Sequence, residues 1–390
     1  MVNGYGTSDS MSLNFGQKPF KFPPPDGYQP LNAANVRPET VISRPDQYVG
    51  IVTYTGDSTD NRQIRVGMQP DLVWTKRRDT TLDHHMWDSV RGAAYELYPN
   101  QNYEQGGPVS PLRFAGFNYD GFTVNNHSVI NQTGNWVAWC WKAGGNKNTF
   151  NVDGVGYASA AAAGLTAGNI TPTGASVGTK QGFSIIGYTG DGQTDGEVPH
   201  GLNQSPDFII VKSRSVAKDW KVHAPGLTSQ YLLTLNETYA QGQSSWDGVT
   251  DTVFKPARSG DTYLNTNTQT FIAYCWHDVP GLQKFGTFTG NGNADGPIVE
   301  LGFRASIVWV KRTDSSEQWY ITDTERDTIN VTGKSLRAQT DAAEASVGQS
   351  NSATWDILSN GFKLRDSGVG SNADGGTYIY CAWAEAPSID

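Results

Sequence analysis

Val137-Ala138-Trp139-Cys140-Trp141 is written three times in this chain, returning as Ile272-Ala273-Tyr274-Cys275-Trp276 and as Ile379-Tyr380-Cys381-Ala382-Trp383. Side chains alternate between the two faces of a strand, so Val137, Trp139 and Trp141 share a face. Each copy closes a block of about 100 residues whose earlier landmarks keep the same order. An opening strand ends in Tyr54-Thr55-Gly56, Tyr188-Thr189-Gly190 or Phe288-Thr289-Gly290. A second strand ends in lysine, as Leu72-Val73-Trp74-Thr75-Lys76, Phe208-Ile209-Ile210-Val211-Lys212 and Ile307-Val308-Trp309-Val310-Lys311. A Trp follows, at Trp87, Trp220 and Trp319, and then a Phe after a turn, at Phe122, Phe254 and Phe362. At the five landmarks copies one and two are offset by 132 to 136 residues, and copies two and three by 99 to 108. Such regularity marks a repeat array.

Within a block, period-two strands alternate with Gly, Asn and Asp turns, the pattern of a sandwich or barrel. The lysine-ended strand is apolar on consecutive residues, which predicts a central strand covered on both faces. The expected fold is all-β: three tandem β-sandwich repeats of jelly-roll or lectin-like type over 47–143, 182–284 and 285–390, each filled by the aromatic row of its own closing strand. Residues 1–46 form an extended arm, with a short strand near Asn14-Phe15-Gly16-Gln17 and a stiff run at Pro23-Pro24-Pro25. Residues 144–181 are an insertion rich in Gly and Ala. Its run Ala158-Ser159-Ala160-Ala161-Ala162-Ala163-Gly164 reads as a flexible linker or as a tightly packed hairpin or short helix at a subunit contact. Copies two and three abut through Val279-Pro280-Gly281 and are expected to form one rigid unit.

Apolar residues make up 37% of the 390-residue chain and charged residues 17%, a composition of short strands and polar turns rather than of helices. The net charge of -9 excludes the basic footprint that nucleic acid requires and disfavours an anionic membrane. Each of the three Cys lies in a different closing strand, so they read as small buried residues rather than a disulfide framework. Cys381 stands two residues before its Trp, whereas Cys140 and Cys275 stand directly before theirs. Only Cys381 therefore shares the face of its Trp. No secretory signal follows Met1, and no window approaches the ~20 apolar residues of a membrane helix. The expected route is synthesis in a cytoplasm and, for work outside the cell, exit by a route such as assembly into a particle.

Candidate chemistry is sparse. The twelve Trp invite glycan stacking, but they recur between copies, which makes Trp87, Trp220, Trp319, Trp141, Trp276 and Trp383 repeat-core aromatics. The loops Asp57 to Asp60, Asp191 to Glu197 and Asn291 to Gly296 carry carboxylates and amides that suit calcium, yet Asp and Asn before Gly are also what tight turns demand. His84-His85 belongs to a stretch specific to copy one. With Tyr103 and Glu104 it forms the candidate contact loop, within Thr80 to Met86 and Gln101 to Pro108. No zinc spacing, nucleophile elbow or phosphate loop occurs. No catalytic residue, metal ligand or cofactor is expected. A carboxylate pair near Glu96 and Glu104 is the nearest approach to a glycosidase arrangement.

From about Pro45 to Pro387 the chain resembles a repeated domain of structural proteins of tailed bacteriophages, marine and cyanobacterial phages above all. The residues that carry the likeness are Gln181-Gly182-Phe183-Ser184-Ile185-Ile186, Pro206-Asp207-Phe208-Ile209-Ile210-Val211-Lys212, Ile272-Ala273-Tyr274-Cys275-Trp276 and Leu358-Ser359-Asn360-Gly361-Phe362-Lys363-Leu364. The arm from Asn14 to Tyr28 is similar to the final strands of a SPRY domain, which implies either a shortened version of such a protein or a start farther upstream. The resemblance implies a virion structural protein, a tail-fibre or appendage component presenting host-recognition surface. Its partners would be other virion proteins, itself in a homo-oligomer with a trimer favoured, and host surface glycan or protein. The alternatives are a capsid or tail decoration or connector protein that binds only virion proteins, and a tailspike that binds or depolymerises polysaccharide.

Overall fold

Runs of consecutive apolar residues place the lysine-ended strands Leu72–Arg77, Phe208–Ser213 and Ala305–Arg312 in the middle of three mainly antiparallel sheets. The computed structural model describes residues 41–258, 260–346 and 353–386. The expected strand and polyproline run of the arm lie outside the described residues. Each main sheet repeats one order: opening strand (Val49–Gly56, Phe183–Thr189 or Gln283–Thr289), closing strand (Gly134–Trp141, Thr270–Trp276 or Thr377–Ala384), lysine-ended strand, then a fourth strand (His85–Asp88, Lys221–His223 or Trp319–Asp323). A three-stranded sheet faces each of them: Arg62–Arg65, Gly121–Val124 and Phe114–Asn118 in the first repeat, and the corresponding sets around Val253–Lys255 and Gly361–Leu364 in the other two. The protein is all-β, built of β-sandwiches.

The aromatic row of each closing strand does not fill its own sandwich. In the first repeat the sandwich interior is Ile64, Val73, Trp87, Phe114, Phe122, Val124, Ala138 and Cys140, drawn from the opposite strand faces. Val137, Trp139 and Trp141 point the other way, into one core that they share with Ile272, Tyr274 and Trp276 of the second repeat and Ile379, Cys381 and Trp383 of the third. The expectation of three separate aromatic-filled cores is corrected by this larger one. All three main sheets turn their bulkier face to a common axis, and that arrangement buries more apolar surface than three isolated sandwiches could. The small residues Ala138 and Cys140, which leave room for the second sheet, lie on the sandwich side.

Strand register stacks the common core in layers. Leu72, Phe208 and Ile307 pair with Trp141, Trp276 and Trp383; Trp74, Ile210 and Trp309 pair with Trp139, Tyr274 and Cys381; Lys76, Lys212 and Lys311 pair with Val137, Ile272 and Ile379. In the first layer the three indoles meet edge to face in a closed triangle, with centroid separations of 6.3 Å for Trp141–Trp276, 5.4 Å for Trp141–Trp383 and 6.3 Å for Trp276–Trp383. Such T-shaped contacts are the favoured aromatic geometry.

The insertion is part of the second repeat. Gly174–Gly178 pairs with the opening strand Phe183–Thr189, Phe150–Val152 pairs in parallel with Gly174–Gly178, and a hairpin to Val155–Tyr157 completes a nine-stranded sheet. Ala160, Leu165 and Ile170 are buried in the second sandwich. This segment is neither a flexible linker nor a helix; its alanine run makes turns.

Candidate functional site

Three joints between repeats follow one pattern, and together they close a ring. Beyond each lysine-ended strand, a carbonyl accepts a backbone N–H from the preceding repeat: Gln105 N–H donates to Arg214 O at 2.9 Å, Gln241 N–H to Thr313 O at 2.9 Å and Glu344 N–H to Arg78 O at 2.8 Å. The first repeat thus grips the second, the second grips the third and the third returns to the first. Such head-to-tail contacts make a closed ring when the rotation fits. The joint with no covalent connection is the most polar: Arg78 makes a two-pronged pair with Glu344 at 2.9 and 3.0 Å, and Glu344 also receives Arg326 at 3.0 Å. At the equivalent place in the first joint Arg214 donates to the neutral Gln105 at 2.9 Å.

Each lysine at the end of its strand is buried. Lys212 Nζ donates to Asn102 O across the first joint at 3.3 Å, and Lys311 Nζ to Thr238 O across the second at 3.1 Å. Lys76 Nζ donates to Arg77 O at 2.6 Å. Burial lowers their pKa values, to about 8 for Lys76 and about 7 for Lys212 and Lys311.

The aromatic side chain facing each lysine is a plug into the neighbouring repeat. Trp220 Nε1 donates to Tyr98 O at 3.0 Å, and Trp319 Nε1 to Thr234 O at 2.9 Å. In the first repeat register puts His84, not Trp87, at this place: Thr75 pairs with His85, so Lys76 faces His84. Trp87 therefore sits in the first sandwich, whereas Trp220 and Trp319 belong to the common core. His84 Nδ1 accepts from Trp74 Nε1 at 2.9 Å. Burial, with Lys76 nearby, holds His84 well below its usual pKa and so neutral, and its Nε2 has no hydrogen-bond partner among the described residues.

The candidate contact loop is thereby divided. His84 and His85 are buried and cannot meet a partner molecule; Tyr103 is 50% exposed and Glu104 is exposed. His85 stacks on Trp87 and lies 3.5 Å from a carboxylate oxygen of Glu96, which also accepts from Tyr98 and Arg113. Although burial pushes Glu96 up, these donors hold it down at about 2. Glu96 is therefore a fixed anion rather than a proton donor at neutral pH, and no bond links it to Glu104. All twelve Trp are buried, so no indole face is offered to a sugar.

The Asp- and Asn-rich loops each wrap around one buried asparagine that sequence reading passed over. Asn131 Nδ2 donates to Asp57 Oδ1 and Thr59 O, Asn265 Nδ2 to Asp191 Oδ1 and Gln193 O, and Asn372 Nδ2 to Asn291 Oδ1 and Asn293 O, at 2.6 to 3.1 Å. An asparagine side chain satisfies the loop oxygens that a cation would otherwise fill. Among the described residues no group of three or more His, Cys, Asp and Glu could hold a metal ion.

A cavity of about 600 Å³ opens where the insertion lies over the end of the first repeat, lined by Tyr48, Gln69, Asp71, Lys142, Lys147 and Lys180 among others. A family profile described as a domain of unknown function, DUF7483, matches residues 44–387. The chain belongs to the DUF7483 family. The match spans all three repeats and the insertion, so ring and cavity both lie within the family domain. A search of curated proteins finds no match.

Proposed function

We propose that this chain is a structural component of a tailed-bacteriophage virion, part of a tail fibre or similar appendage that presents host-recognition surface and carries no catalytic role. The observation that supports it best is the closure of three sandwiches on one buried aromatic core. All twelve Trp are spent inside, leaving differing polar loops on a rigid scaffold, the arrangement expected of a recognition or assembly module. The sequence likeness to repeated phage domains supplies the setting: synthesis in the host cytoplasm, residence in the virion, and partners among other virion proteins and host surface glycan or protein.

Closure also favours a second reading, a decoration or connector subunit. One chain already completes a threefold ring, so a homotrimer would need a further surface. Immunogold labelling of purified virions of a phage that encodes the chain tests both. Gold on fibres or tail appendages supports the first reading and gold confined to the capsid the second; virions lacking the chain would refute both.

A further inference from the structure

The cavity beside the insertion breaks the threefold pattern of the ring. Between the second and third repeats the equivalent region is closed by Val279 and Leu282 in the common core and by Gln283, whose Nε2 donates to Gln181 O, Gly182 O and His277 O. Between the third and first repeats the corresponding cleft is smaller and carries Asp46, Glu325 and Glu385. Only the joint with the insertion is both roomy and basic. Ring closure does not explain that difference.

Its charges are uncommitted. Lys142, Lys147 and Lys180 line it, and none has an ion-pair partner among the described residues; Lys180 instead lies over the Tyr48 ring at 5.7 Å. The acidic groups beside them are engaged. Asp153 accepts from Thr179 N and Oγ1 at 2.8 and 2.6 Å, and Asp71 Oδ2 accepts from Ala143 N and Gly145 N at 2.8 and 3.0 Å. Gln69 Nε2 donates to Asn146 Oδ1 at 2.8 Å, which leaves Gln69 Oε1 and Asn146 Nδ2 to serve a ligand. Three ammonium groups, two amides and a tyrosine ring match a ligand that is both anionic and rich in hydroxyls. A volume of about 600 Å³ is within the range of small-molecule sites.

We propose that this cleft binds an acidic saccharide, with Lys142, Lys147 and Lys180 on its carboxylate or sulfate and Gln69 and Asn146 on its hydroxyls. The inference deepens, and rests on, the reading of the chain as a host-recognition module: bacterial surface polysaccharides carry such groups. The test is calorimetric titration of the full chain at low salt with three probes of equal length, an oligogalacturonate, a sulfated dextran oligosaccharide and neutral dextran. The expected result is binding of one or both charged probes and none of the neutral one, with Lys142→Ala and Lys180→Ala each weakening it by about tenfold, the loss of one charge-assisted contact. Lys255→Ala, outside the cleft, should leave it unchanged. Whether galacturonate or sulfated dextran binds tells carboxylate from sulfate recognition. Equal binding of neutral dextran, no binding of either charged probe, or retention of affinity in the Lys142→Glu/Lys180→Glu variant would overturn the proposal. So would inorganic sulfate binding as tightly as the sulfated probe, since the site would then read an anion without a sugar. Localisation in the virion is measured independently, so either reading can fail alone.

Discussion

Asp88 is the most informative single position to change. It lies fully buried at the first joint, 2.5 Å from Arg91, and accepts from Tyr274 OH of the second repeat at 2.7 Å. The third repeat repeats the motif: Asp323 pairs with Arg326 at 2.5 Å and accepts from Trp139 Nε1 of the first repeat at 2.9 Å. By register, the same three places at the second joint hold Ala224, Leu227 and Cys381, all apolar. The ring thus contains two polar versions and one apolar version of the same contact. Asp88→Ala strands the Arg91 guanidinium and the Tyr274 hydroxyl in the core, and breaking a buried pair by removing one partner costs about 3–5 kcal/mol. Replacing the whole set by apolar groups is often neutral. Asp88→Ala/Arg91→Leu/Tyr274→Phe, which imitates the second joint, should therefore regain most of that loss. Urea unfolding of the two variants and the parent, followed by Trp fluorescence, measures it through the midpoint at constant slope. A single variant that loses less than about 1 kcal/mol, or a triple variant no more stable than the single one, would refute the idea that the pair is tolerated only because it is complete.

Three further expectations are open to measurement. Lys76, Lys212 and Lys311 have folded pKa values near 8, 7 and 7, below the unfolded value. The unfolded chain therefore binds more protons between about pH 7 and 10, and stability should rise with pH in that window; Lys212→Met should flatten the rise between pH 7 and 9 in urea midpoints. Asn265→Ala removes the amide that holds the loop from Asp191 to Glu197. It should cost about 1–3 kcal/mol and make that loop, but not those held by Asn131 and Asn372, the first site of limited proteolysis. Glu344→Gln at the closing joint should cost about 1.5–3 kcal/mol, and Gln105→Ala at the equivalent neutral contact about 0.5–1.5 kcal/mol, on the same unfolding assay.

Much of the site was present in the sequence as spacing. Lys76, Lys212 and Lys311 stand eight residues before His84, Trp220 and Trp319 respectively. Matching Trp to Trp instead put Trp87 in the series and cast His84 as a surface residue. Counting from the lysine would have found it, because the two strands are adjacent and their register is fixed by the turn between them. Asn131, Asn265 and Asn372 likewise stand ten or eleven residues before the last Trp of each closing strand, a signal masked by the abundance of Asn in turns. The cleft was not legible: Lys142, Lys147 and Lys180 are brought to one cavity only when the insertion folds back as a hairpin over the first repeat.

By itself, the sequence determined the triple repeat, its strands, the central place of the lysine-ended strand and the β-sandwich class, because period-two patterning and turn residues act locally. It also determined that Cys381 shares a face with its Trp while Cys140 and Cys275 do not, since alternation along a strand is geometric. Tertiary structure alone decided where those faces go. Both faces of a closing strand are apolar, and local pattern cannot say which one meets the repeat's own second sheet and which meets the neighbouring repeats. Volume settles it: Ala138 and Cys140 leave space for a covering sheet, whereas Trp139 and Trp141 are accommodated where three sheets converge on one axis and each brings a Trp to the centre.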